Sequence, residues 1–253
     1  VDQLVDISAN LFGFVNKKNP NERDYDTTAV LGDKAQGKST LVSLYAKLYN
    51  QIQSEKLRKG LLKYPKKVLI VDPTDNNAFQ EFEDITLEQL MYGFPIVGKR
   101  ERNFWSKGIR RIRKTRNIKD DIFINTITDC YKNGLLIIDE ASEVVDPNNP
   151  PHWQKELIKK HRMSCLDLLY VFHNFMDIPL KLRPHIWCWI LFRTPEKPDS
   201  VKYFRSRQFP NPEALWEKWK KVENSVHDNS AIIQHYEVHR KSFKSVFELR
   251  NKQ

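Results

Sequence analysis

Gly32-Asp33-Lys34-Ala35-Gln36-Gly37-Lys38-Ser39 fits the pattern G-x-x-x-x-G-K-[ST] at every fixed position. These residue types suit one piece of chemistry, the cradling of a phosphate chain. Glycines let successive backbone N–H groups turn inward, making an anion nest at the positive end of a helix. Lys38 is placed to reach β- and γ-phosphates, and Ser39 to offer its hydroxyl to Mg²⁺. Thr40 would stand near the α-phosphate. The nucleotide is read as ATP and its metal as Mg²⁺.

A second pair of groups complements the loop. Asp139 and Glu140 end the apolar run Leu135-Leu136-Ile137-Ile138. At the tip of a parallel strand they face the same edge as the phosphate loop, where Asp139 can hold Mg²⁺ through water. Glu140 can then polarise an attacking water, which suits hydrolysis better than transfer to a small acceptor. Alone, such a pair also reads as acids at a helix N-terminus; the upstream phosphate loop favours catalysis. Farther on, His173-Asn174 closes another apolar run. The Asn174 amide can bond both the lytic water and the γ-phosphate, or it can cap a helix. His173 is less specific, and Asp72 either supports the site or caps the turn at Pro73.

Positioning these groups requires a particular scaffold. Residues 27–31, 68–71, 135–138, 166–172 and 186–192 are β-rich apolar runs, with helical patterns over 39–51, 121–133 and 153–163 between them. Leu41, Leu44 and Leu48 share one helix face. Doubly buried strands alternating with helices predict a parallel sheet covered on both faces, an α/β doubly wound fold. Three segments are expected: an N-terminal arm (1–26), a phosphate-loop core (27–194) and a C-terminal appendage packed on that core (195–253). In the last, Leu215, Trp219, Val222 and Val226 form a helical stripe.

Composition excludes several other classes. The chain has 253 residues, three cysteines, 42 Lys or Arg and 32 Asp or Glu, for a net charge of +10. Cys130, Cys165 and Cys188 are widely spaced, which argues against a disulfide framework or a structural zinc site and fits a reducing compartment. His235 and His239 lack further ligands for zinc. The longest apolar run, residues 186–192, is far short of the roughly twenty residues of a membrane helix. No signal-peptide pattern occupies residues 1–30, so a cytoplasmic location is expected.

Residues 99–116 hold nine Lys or Arg and one Glu, a sum of +8 that is most of the net charge. Arg110, Arg111, Arg113 and Lys114 could neutralise DNA phosphates without reading base sequence. The same stretch also reads as a solvated charge run, with 108–113 an edge strand guarded by its charges. Trp105 either stacks on a ligand or anchors the loop; Trp216 and Trp219 read as core.

GDKAQGKST, VLIVDP, LLIIDEAS and KKHRMSCLDLLYVFHN together resemble the FtsK–HerA branch of P-loop ATPases. The resemblance covers about residues 27–194 and rests on motif order. It implies a RecA-like (ASCE) P-loop NTPase fold and a ring, a hexamer or in some members a pentamer, acting on double-stranded DNA. It places Arg162 as a finger donated to a neighbouring subunit, with Arg183, Arg193, Arg205 and Arg207 as competitors. The family usually carries Gln where this sequence has Asn174. Lacking the membrane segment of the related zonular-occludens-toxin-like ATPases, the sequence resembles soluble packaging ATPases most, which implies a capsid vertex or another virion protein as partner. Two alternatives stand beside that reading. One is a filamentous-phage or conjugation-type ATPase acting at a membrane; the other is a slow nucleotide-dependent assembly switch.

Overall fold

The computed structural model describes residues 26–96, 102–114, 120–145, 152–196, 201–209, 211–224, 237–240 and 247–248. The expected N-terminal arm, residues 99–101, 115 and 116 of the basic stretch, Val226 and His235 lie outside them, apart from Asp26.

The five apolar runs form the centre of the sheet. They are β1 (Thr27–Leu31), β2 (Lys67–Asp72), β7 (Gly134–Ile138), β8 (Leu166–Phe172) and β9 (Cys188–Leu191). Four further strands are short or polar: β3 (Glu83–Asp84), β4 (Phe94–Pro95), β5 (Arg102–Asn103) and β6 (Gly108–Arg113). Two more follow near the C-terminus, β10 (Glu237–Arg240) and β11 (Phe247–Glu248). The main sheet runs β11-β10-β9-β1-β8-β7-β2-β6-β3. Its seven strands from β9 to β3 are parallel, whereas β10 is antiparallel to β9 and β11 to β10.

Alternation along each strand explains why both faces must be covered. Val30, Ile70, Ile137 and Val171 point into one buried cluster, and Leu31, Val71, Ile138 and Phe172 into the other. Helix α1 (Lys38–Arg58) covers the first face with Leu41, Val42, Tyr45 and Tyr49. It outruns the expected helix at its C-terminal end, where Ile52 and Gln53 are still buried. The other face takes α2 (Leu87–Tyr92), α3 (Asp120–Cys130), α4 (His152–Lys160), α5 (Val201–Ser206) and α6 (Pro212–Glu223). A capping box between Thr86 and Gln89 starts α2.

Helix α6 packs on this core. Leu215, Trp219 and Val222 of α6 are buried in the cluster that holds α3 and α4. At about 1.5–3 kcal/mol per buried apolar side chain, they fix α6 on the sheet. Trp216 stacks on Trp219 with ring centroids 5.4 Å apart, which makes the pair packing and not a nucleobase platform. Strand β6 joins β2 in parallel register, so the basic stretch extends the sheet.

Candidate active site

β1 has β8 on one side and β9 on the other, although neither is its neighbour in sequence. At such a switch point the connections leave in opposite directions and open a crevice at the C-terminal strand ends. The phosphate loop starts there. Gly32 is forced by space: a Cβ would lie 2.4 Å from Cβ of Phe192. Gly37 is forced by its backbone, at φ 81 and ψ 16, from which α1 departs. The first turn of that helix carries N–H groups with no intrahelical acceptor, aimed out of the loop. A cavity of about 780 Å³ lies over them, lined by residues 34–40 and by Thr74, Asn76, Glu140 and His173.

Lys38 Nζ donates to the carbonyl oxygens of Gly32 (2.7 Å) and Asp33 (2.8 Å) and lies 3.4 Å from Nδ1 of His173. Burial lowers its pKa, against which Glu140, Asp139 and Asp33 favour the ammonium. Asp33 stays near this lysine through its own backbone, donating N–H to the Arg193 carbonyl at 2.6 Å.

Asp139 is fully buried, and its Oδ1 has no hydrogen-bond partner. Burial, then the nearby Glu140 and Asp72 carboxylates, raise its pKa to about 7. An orphaned buried carboxylate oxygen is a vacancy for positive charge. Its other oxygen lies 3.4 Å from Nδ2 of Asn76, which also donates to Ser39 Oγ at 2.8 Å. Ser39 and Asp139 are thus joined through one amide, and this donor set fits Mg²⁺, an oxygen-seeking ion that completes its shell with phosphate and water. Asn76 is a site residue that the sequence analysis did not single out. Its signal was the polar tip Asp72-Pro73-Thr74-Asp75-Asn76 after a buried strand.

Glu140 adopts φ 44 and ψ 48, left-handed values for a non-glycine residue. Such a conformation costs on the order of 1–3 kcal/mol and clusters at functional sites. Its carboxylate is hydrogen-bonded to Nε2 of His173. His173 therefore faces the cavity, while the adjacent Asn174 turns away. The Asn174 amide donates to Asp177 Oδ2 (2.8 Å) and accepts from the Asp177 backbone N–H (3.0 Å), which closes a local turn and not the start of the helix that the capping alternative expected. Asp72 caps as well, accepting from the N–H groups of Thr74 and Asn76.

The arginines separate clearly. Arg162 is exposed in the turn that leads into β8, at the sheet edge opposite the Lys38 of its own chain. Arg183 is buried, donates to the carbonyls of Ile178, Phe175 and Arg207, and lies over the Phe209 ring. It is a packing residue. Arg193 donates to the Glu223 carbonyl, Arg205 pairs with Glu213, and Arg207 lies over Tyr203.

In the basic stretch, Arg111 is buried and paired with Asp84 (2.8 Å), Asp75 (3.1 Å) and Asp72 (3.6 Å). A guanidinium so enclosed has no path to a phosphate backbone, which corrects the expectation for this residue. Arg110 pairs with Glu83 at 2.6 Å, and the half-exposed Arg113 with Asp84 at 2.6 Å. Lys114 lines a neighbouring cavity with Arg113. Trp105 stacks on Tyr131 beneath the Lys67 ammonium, so it anchors the loop.

A phosphate loop at the switch point of a parallel sheet, with paired acids on an adjacent tip, defines the P-loop NTPase fold. No protein-family model matches the chain, and no curated protein does. Solved structures are similar in fold. The genome packaging NTPase B204 from Sulfolobus turreted icosahedral virus 2, in complex with AMPPCP, aligns with a TM-score of 0.61 at 16% identity, over 88% of this chain and 96% of that one. Its complex with ATP-gammaS gives 0.59 at 15% identity, over 91% and 97%. B204, the DNA-packaging ATPase from Sulfolobus turreted icosahedral virus, gives 0.57 at 16% identity, over 89% and 97%. At these identities the likeness is one of fold.

Proposed function

We propose that this chain is a Mg²⁺-dependent ATP hydrolase that assembles into a homo-oligomeric ring and moves double-stranded DNA, packaging a viral genome into a capsid. The observation that carries the reading is the meeting of Lys38 and Glu140 at one cavity, on either side of His173. B204, similar in fold, was solved with AMPPCP and is described as a genome packaging NTPase.

Lys38 and the loop N–H groups bind and orient the triphosphate. Ser39 and Asp139 would hold Mg²⁺, which would supply positive charge against the β- and γ-phosphates. Glu140 accepts the proton of the attacking water, a role worth about 10²–10⁴ in rate. Arg162 stands too far around the sheet to serve its own site and would act on a neighbour's. Of the four candidate DNA contacts, Arg110, Arg113 and Lys114 would meet DNA phosphates.

Displacement of a third strand from a triplex-bearing duplex tests the motor directly. Release of that strand that needs both ATP and Mg²⁺ is expected. Hydrolysis that is indifferent to duplex and releases no strand would reject DNA movement.

A further inference from the structure

His173, at the tip of β8, has a polar partner on each side of its ring. Nδ1 lies 3.4 Å from the Lys38 ammonium nitrogen, and Nε2 is hydrogen-bonded to Oε2 of Glu140. The partners determine the tautomer. An ammonium has only hydrogens to offer, so Nδ1 must accept; the ring proton then sits on Nε2 and is donated to the carboxylate. Asn174, one residue on, is held by Asp177 and takes no part.

Lys38 has three hydrogens and three acceptors, the Gly32 oxygen at 2.7 Å, the Asp33 oxygen at 2.8 Å and His173 at 3.4 Å. The longest contact is the one to yield when a stronger acceptor arrives. A phosphate oxygen, being charged, is such an acceptor. The Lys38 contact also polarises the imidazole and strengthens the bond from Nε2, by about 10–30% for bonds in a chain. Losing Lys38 therefore weakens the hold on Glu140. With its backbone fixed in the left-handed region, Glu140 has side-chain rotation as its remaining freedom.

We propose that His173 is a positioning residue that links Glu140 to the occupancy of Lys38. While the ammonium faces the imidazole, the carboxylate is held. When a phosphate takes the ammonium, that hold loosens and the carboxylate can swing toward the attacking water, while the remaining Nε2 bond still draws it back for part of each turnover. The proposal rests on the hydrolase reading of Glu140.

The test uses the full chain labelled with ring-¹⁵N histidine, the His173 signals being assigned by their absence from His173→Gln. In ligand-free protein the Nε2–H tautomer is expected. Mg²⁺–AMPPCP should shift both ring nitrogens, and Mg²⁺–ADP should shift them less. An Nδ1–H tautomer, or signals unmoved by saturating AMPPCP, would overturn the proposal.

Kinetics supply an independent arm. His173→Ala should raise duplex-free turnover at least threefold while the KM for ATP changes less than threefold. His173→Gln, with an amide N–H that can again reach the carboxylate, should reverse most of that rise. Turnover that is unchanged or lowered in His173→Ala, with AMPPCP binding intact, would contradict release. Wild-type hydrolysis by Glu140→Gln would instead reject the hydrolase reading, and the ring-nitrogen shifts would still decide the His173–Lys38 link.

Discussion

Two clusters of charge stand at the same edge of one sheet, and they differ in how they are satisfied. Around β1 and β7, Asp139 keeps a buried oxygen without a partner and Lys38 faces an open cavity. Around β6, Arg111 and Arg113 are answered within the chain by Asp72, Asp75 and Asp84. On the proposed hydrolase reading the first cluster carries the chemistry, because an Asp139 oxygen is left for a cation and the longest Lys38 contact, 3.4 Å to His173, is the one a phosphate can replace. The second, richer in charge, largely completes itself and serves as structure. Counting charges along the sequence cannot separate the two; counting satisfied partners can.

That contrast can be broken by substitution, beginning where the effect should be greatest. Glu140→Gln should lower turnover by about 10²–10⁴ while nucleotide still binds, as measured by phosphate release and AMPPCP titration. In the other cluster, Arg111→Ala should cost about 3–5 kcal/mol of stability, because it leaves the buried Asp72 carboxylate without its cation. Urea unfolding would read this, and a loss below about 1 kcal/mol would place the network at the surface.

Asp139→Asn sharpens the comparison from the opposite direction. Removing an unpaired buried charge should stabilise the metal-free protein by about 1–3 kcal/mol, while Mn²⁺ binding in the presence of AMPPCP is lost. A lower melting temperature would mean that Asp139 is already compensated. The smallest effect is expected at Arg113, whose pairs are half-exposed. Arg113→Ala should shift stability by less than about 1 kcal/mol. If Arg113 also meets a phosphate, the slope of log affinity for duplex against log salt should become shallower by about one.

Much of this was legible before any coordinates. The phosphate loop is a local pattern of residue types, and the strands around it are apolar without alternation because both faces are covered. Asp139 and Glu140 were placed by the strand they terminate. What escaped was set by distant pairing or by side-chain direction. Arg111 finds Asp84 because β6 lies between β2 and β3, a juxtaposition that no local pattern in the basic stretch encodes. At the β8 tip, two adjacent polar residues diverge, His173 toward Glu140 and Asn174 toward Asp177, and composition gives no means of choosing between them. Asn76 looked like part of a polar turn until folding brought Ser39 and Asp139 to its amide. Helix α2 escaped as well, because six residues are too few for an apolar period to show.

The central claim is that the unsatisfied cluster hydrolyses ATP in the service of DNA. Phosphate release from ATP by the full chain, with Mg²⁺ and with or without duplex, tests it most directly. The account predicts release that duplex accelerates and that Glu140→Gln abolishes. Release no greater than that of a Lys38→Ala control, with or without DNA, would contradict it.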